Sequence, residues 1–243
     1  MLLHLLLFVV ALVAGAIASV SGFGIGSLLT PTFAVVVDTK VAVAAASIPH
    51  LAGTAWRFWT LRAHVDRHVL WTFGLASAAG GIAGALLHAY ATSSALTVVF
   101  GALLLFVGVT GITGVSKQWR FHGPLGWIAG AASGVFGGLV GNQGGIRSAA
   151  LLGFDLARDA FVATATAIAL FVDFARMPVY LATQHERLAA IATLIGSATA
   201  GVLVGTVSGA RILRRVPEAT FRRVVSALLI VLGASMIVRA FIA

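Results

Sequence analysis

Apolar residues run through this chain in long blocks separated by short polar stretches, and the blocks approach the length a lipid bilayer requires. A helix needs about 20 mostly apolar residues to cross the hydrocarbon core. Leu5 to Val20 forms the first block and ends at the glycine-rich break Ser21-Gly22-Phe23-Gly24-Ile25-Gly26. A short apolar piece, Ser27 to Val37, stops at Asp38-Thr39-Lys40. Val41 to Leu61, Val69 to Tyr90 and Ala95 to Gly114 then predict three helices, with polar residues from Arg62 to His68 after the first.

After a basic linker, Lys117 to His122, the same programme begins again. Leu125 to Val140 leads to the break Gly141-Asn142-Gln143-Gly144-Gly145. The short piece Ile146 to Phe154 follows, then the blocks Ala160 to Ala182, Leu188 to Ala210 and Val224 to Ile242. Residues 18–26 align with 138–145, Arg57 with Arg176, and Ala102-Leu103-Leu104 with Ala227-Leu228-Leu229. The chain therefore reads as an all-α integral membrane protein of two homologous halves, each with a glycine-broken helix pair and about three spanning helices. The halves are taken as 1–116 and 124–243, joined by the linker 117–123.

Charge chooses between two arrangements of the halves. If the broken pairs cross and the halves run parallel, the basic loops fall on both faces. If each broken pair re-enters, the second half is inverted. Arg62, Arg67, Lys117, Arg120, Arg158, Arg211, Arg214, Arg215, Arg222 and Arg223 then share one face, leaving Lys40, Arg187 and Arg239 on the other. Cytoplasmic loops collect Lys and Arg, so inverted repeats with the N-terminus outside are expected.

Composition supports a lipid environment. Of 243 residues, 60% are hydrophobic and 9% charged, against about 25% charged in a soluble domain. The 28 glycines suit close helix approach in a bilayer. The absence of cysteine removes disulfides and thiolate chemistry from consideration. The net charge of +9 sits in short clusters between apolar runs, a pattern for anionic lipid rather than nucleic acid. Only His4 precedes the first apolar block, whereas a secretion signal opens with positive charge. That block is expected to remain as a helix of a multi-pass protein in the cytoplasmic (inner) membrane.

The two breaks carry the candidate chemistry. Non-helical backbone at membrane depth needs protein or a water-filled cavity to satisfy its polar groups. A break also makes a new helix N-terminus, with free N–H groups and partial positive charge, which favours an anion. The first break offers backbone around Gly22, Gly24 and Gly26 with the Ser21 and Ser27 hydroxyls. The second offers Gly141, Gly144 and Gly145 with the Asn142 and Gln143 amides, and Arg147 just beyond. The same glycines are also explained by close helix packing.

Arg57 and Arg176 lie near the ends of their predicted helices, where either can snorkel to the interface, yet they recur at matching repeat positions. Asp173, three residues before Arg176, is spaced for an ion pair or for a proton relay. His50, within an apolar run, is either a packed histidine or a proton carrier. No metalloprotease, nucleophile-elbow or phosphate-loop motif occurs. Neither an enzyme nor a cofactor is expected.

Ser21-Gly22-Phe23-Gly24-Ile25-Gly26-Ser27-Leu28-Leu29-Thr30-Pro31, with Ser133-Gly134, Gly137 to Gly141 and Gly144-Gly145 in the second half, resembles the TauE/SafE sulfite exporter family over nearly the whole chain. Asn142-Gln143 stands where that pattern often carries small residues. The resemblance implies a duplicated permease moving sulfite, sulfonates or other small anions, often outward, with substrate between positions 21–27 and 141–147. The expected function is a secondary carrier working by alternating access around that site. The alternatives are an anion channel and an uptake permease for another small oxyanion.

Overall fold

The computed structural model describes residues 1–115, 124–213 and 216–242, which form ten helices and, among the described residues, no strand. These are α1 (Leu2–Ser21), α2 (Ile25–Phe33), α3 (Thr39–Leu61), α4 (Arg67–Tyr90), α5 (Ser93–Thr113), α6 (Pro124–Val140), α7 (Gly144–Leu151), α8 (Arg158–Ala190), α9 (Ala192–Leu213) and α10 (Glu218–Ile242). Six of them (α1, α4, α5, α8, α9 and α10) contain stretches long and apolar enough to cross a membrane. The predicted linker residues Lys117, Arg120 and His122, with Arg214 and Arg215, lie outside the described residues.

Local chemistry sets the helix ends. Asp38, Asp66 and Thr92 each precede a helix, and their side chains accept from the backbone N–H of Val41, Val69 and Ala95, satisfying donors that a helix start leaves free. The α1 and α6 helices end on Gly22 (φ 80°) and Gly141 (φ 73°). A left-handed cap is easy for glycine and strained for a side chain. This is why the breaks fall where they do.

The second half departs from expectation at one boundary. Thr183-Gln184-His185-Glu186-Arg187 reads as a loop, but α8 runs unbroken through it to Ala190. Its polar residues divide by face: His185 and Glu186 are exposed, while Gln184 and the following Leu188 are buried. Arg176 consequently sits well inside a long helix rather than near its end.

Helices from the two halves interleave. α1 pairs with α9, α4 with α6, α5 with α10 and α3 with α8. Glycines bring backbones into contact at these seams: Gly201, Gly205 and Gly209 meet Phe8, Leu12 and Ala16, so α1 and α9 run parallel. Gly130, Gly134 and Gly138 meet Phe73, Ser77 and Gly81, so α4 and α6 run parallel too. By contrast, Gly101 meets Gly233 while Gly108 meets Ser226, making α5 and α10 antiparallel. The α3–α8 pair is also antiparallel, with Ser47 near Met177, His50 near Asp173 and Arg57 near Thr166. Large apolar side chains such as Leu5, Val9, Leu86, Ile112, Val207 and Val231 point outward. The apolar surface faces outward as lipid contact requires, while polar residues gather inside.

Candidate functional site at the meeting of two helix breaks

The first break, between α1 and α2, touches the second, between α6 and α7. A Cβ on Gly26 would collide with the carbonyl oxygen of Gly141, and one on Gly144 with the Phe23 side chain. Two short helices of 9 and 8 residues thus start from one place inside the protein, with Gly24 and Gln143 as their N-caps.

Three arginines converge there. Arg147, 2% exposed, reaches out of α7 so that Nη2 donates to the Gly22 carbonyl at 3.2 Å. Arg57, on α3, donates to the same carbonyl at 3.4 Å and to Thr166 Oγ1 at 2.6 Å. Arg176, 1% exposed, donates from Nη1 to the Gly137 carbonyl at the end of α6, and Nη1 also faces Gly141. Arg57 and Arg176 stand equally far from the starts of α3 and α8, and each holds the helix end at one break. Both are buried, which replaces the snorkelling alternative: their guanidiniums find carbonyls inside the protein rather than water at the interface.

One carboxylate balances this group. Asp173, fully buried, accepts from Arg176 Nη2 at 2.7 Å and lies 2.7 Å from His50 Nδ1. Thr54 Oγ1 approaches the same histidine nitrogen at 3.4 Å. His50, Asp173 and Arg176 therefore form a connected polar line from α3 to the second break. Among the described residues, several buried side-chain nitrogens there have no protein partner: Asn142 Nδ2, Gln143 Nε2, Arg147 Nε and Nη1, and Arg176 Nε. Buried donors left unpaired are costly, and here they cluster.

Not every expected residue faces this cluster. The Ser21 hydroxyl is spent on backbone, 2.9 Å from the Ile17 carbonyl and 2.7 Å from that of Phe23, so it closes the end of α1. Gly145 turns to α5, where a Cβ would strike Val107; its smallness serves packing. Ser27 is buried in the first turn of α2.

Three polar residues near the breaks escape a sequence reading: Thr166, which receives Arg57, and Tyr180 and His88, which reach α6. Tyr180 Oη donates to the Gly138 carbonyl, and His88 Nδ1 lies 2.8 Å from that of Leu139. Their partners are backbone atoms distant in sequence. Only the absence of any loop around these polar groups hints that they are engaged.

No match was found among curated proteins or among solved structures. A family model described as "Sulfite exporter TauE/SafE" matches residues 7–236, which is nearly the whole chain and includes both breaks. The protein is a multi-pass integral membrane protein that belongs to the TauE/SafE sulfite exporter family of transporters.

Proposed function

We propose that this protein is a secondary carrier that exports small oxyanions or sulfonates, sulfite first among them, by alternating access around the two touching breaks. One observation carries the reading: three guanidiniums and unpartnered amide and guanidinium donors surround a single carboxylate at full burial. Buried charge needs a partner of opposite sign, and an excess of buried cations selects for an anion. Arg147 is the principal ligand, because two of its nitrogens are free of protein acceptors. Asn142, Gln143 and the N–H groups at Gly24, Gly26, Ser27 and Gly144 complete the site. Arg57 and Arg176 hold Gly22 and Gly141 in place beside it.

Inverted repeats, 1–116 and 124–243, supply the movement. Support comes from the antiparallel packing of the matching pairs α3–α8 and α5–α10, since an axis in the membrane plane relates such pairs. Because the breaks are in backbone contact, an anion enters only as they part. Rocking one half against the other parts them towards alternate faces. Asp173 and His50 are the candidates for taking up a proton when an anion leaves its arginine partners.

The protein lies in the cytoplasmic membrane with its N-terminus outside. Lys40, Arg187 and Arg239 gather at one end, bonded to the Ala89 carbonyl, the Asp38 carboxylate and the Ala34 carbonyl. Arg62, Arg67, Arg222 and Arg223 stand at the other, which the positive-inside rule makes cytoplasmic.

The test is sulfite flux into and out of liposomes holding the purified protein under an imposed pH gradient. Saturable flux that Arg147→Ala abolishes, in protein whose melting curve shows it folded, is the expected result. Conductance without saturation favours a channel instead. Absence of flux for sulfite and sulfonates alike, from folded wild-type protein, overturns the substrate assignment.

A further inference from the structure

The C-terminal turn of α6, immediately before the second break, is held by side chains on three successive carbonyls. Arg176 Nη1 takes Gly137, Tyr180 Oη takes Gly138 and His88 Nδ1 takes Leu139. The Gly137 carbonyl also accepts from the Gly141 N–H at 3.0 Å, whereas a helix end leaves those of Gly138 and Leu139 without intrahelical donors, so these three residues help fix where α6 stops and where Gly141 points. Two of them come from α8 and one from α4.

His88 differs from the other two in what its second nitrogen meets. The ring is fully buried, with Nδ1 2.8 Å from the Leu139 carbonyl oxygen and Nε2 3.1 Å from the Lys40 carbonyl oxygen. Both neighbours are acceptors only. A neutral imidazole has one N–H and would turn a bare lone pair towards one of these oxygens; an imidazolium donates to both. The Tyr180 ring lies beside it, centroids 4.9 Å apart and planes tilted by 54°. The charged groups around the histidine are few. From α3 comes Lys40, whose ammonium binds the carbonyls of Ala89, the residue next to His88, and Ala91, and whose charge opposes a second proton on the ring. Asp38 lies just before α3 and is engaged by Arg187 and Ser93. From α8 come Tyr180 and, beyond it, Arg176. The α6 turn contributes no ionisable side chain.

We propose that His88 carries a proton on both ring nitrogens and so clamps the end of α6 to the first turn of α3, making the geometry of the second break depend on one buried histidine. Loss of the Nε2 proton replaces an attraction with two facing lone pairs, and α3 and α4 then separate at Lys40. His88 is a positioning residue: it acts on Gly141 through Leu139 rather than by touching an anion. Its effect on transport rests on the carrier reading above, but its protonation does not.

Two measurements test this. In wild-type protein in lipid nanodiscs with ¹⁵N-labelled histidine, the His88 ring is assigned through its contact with ¹³C-labelled Tyr180. Two protonated ring nitrogens at neutral pH are expected; a neutral ring there, with one bare nitrogen, overturns the clamp. In liposomes, anion flux is then followed against pH for wild type and His88→Gln, whose neutral amide has an NH2 on one side and an acceptor oxygen on the other. Wild-type flux should change as His88 loses its proton, and the variant should lose that step while keeping its melting curve. A step that survives in folded variant overturns the positioning role. If wild type moves no anion at all, the carrier reading fails, and the nitrogen spectra alone decide the clamp.

Discussion

Gly26 and Gly196 show how differently two helical glycines can be constrained. In α2, Gly26 has the Gly141 carbonyl where a Cβ would go, and that neighbour is backbone that cannot turn aside. In α9, Gly196 faces outward with nothing within 4 Å. Gly26→Ala is expected to destabilise by at least the ~1–3 kcal/mol typical of overpacking and to lower transport. Gly196→Ala should stabilise by roughly 0.5–1 kcal/mol, since alanine costs less than glycine inside a helix. Thermal melting of both variants in one detergent checks this; equal melting temperatures would mean that the two breaks do not touch. The stretches where α1 and α6 stop, 22–24 and 141–143, stand out in the sequence as glycines set beside polar residues inside apolar runs, whereas seam glycines such as Gly201, Gly205 and Gly209 recur singly at helical spacing. The depth of Arg176 was not legible, because the polar run from Thr183 to Arg187 looks like a loop until α8 is seen to carry it. Nor were the roles of His88 and Tyr180, whose partners are main-chain oxygens that no residue pattern marks.

Between elements, one ion pair joins the start of α3 to the last turns of α8. Burial works to raise the Asp38 pKa, but hydrogen bonds from Ser93, Arg187 and the Val41 N–H outweigh it, and the carboxyl is held below its ordinary value of 3.8. A carboxyl with a depressed folded pKa adds stability above its ordinary value and loses it as pH falls through the folded one. The outer end of the α3–α8 pair should therefore loosen only in strong acid. Arg187→Ala removes one lowering influence and should move the acid unfolding midpoint to higher pH, whereas Asp38→Asn should flatten that limb of the curve. Acid melts of the two variants, followed by tryptophan fluorescence, separate these effects. Pairings of this kind lay beyond the sequence reading: α3 and α8 were each visible as apolar runs, but no periodicity states that they are neighbours.

For the molecule as a whole, the proposed orientation has a direct test, made simple by a chain without cysteine. Tyr90 is 88% exposed at the end shared by Lys40 and Arg187. Arg62, stacked on Trp59 at 3.7 Å, marks the opposite end, where the exposed Trp56, Trp59 and Trp71 suit a membrane interface. In intact cells an impermeant maleimide should label Tyr90→Cys, and should reach Arg62→Cys only after permeabilisation. Labelling of both from one side, or in the reverse order, would refute the inverted arrangement with the N-terminus outside. The overall class, an all-helical multi-pass membrane protein, was legible at this scale because apolar run length is summed over many residues, and a sum survives local misreading.

The length of α8 has a mechanical consequence. Its 33 residues extend ~50 Å at 1.5 Å per residue, well beyond a hydrocarbon core of about 30 Å, so the helix must lean or protrude. Asp173 and Arg176 ride near its middle, and Pro178, two residues further on, withholds a backbone donor where the rod can bend. Where α8 leans rather than protrudes, a thinner bilayer would tilt it further, carrying with it the Arg176 guanidinium bonded at the end of α6 and the Asp173 carboxylate paired to it. The thickness of the surrounding lipid would then be an input to the arginine cluster, transmitted along a single rod.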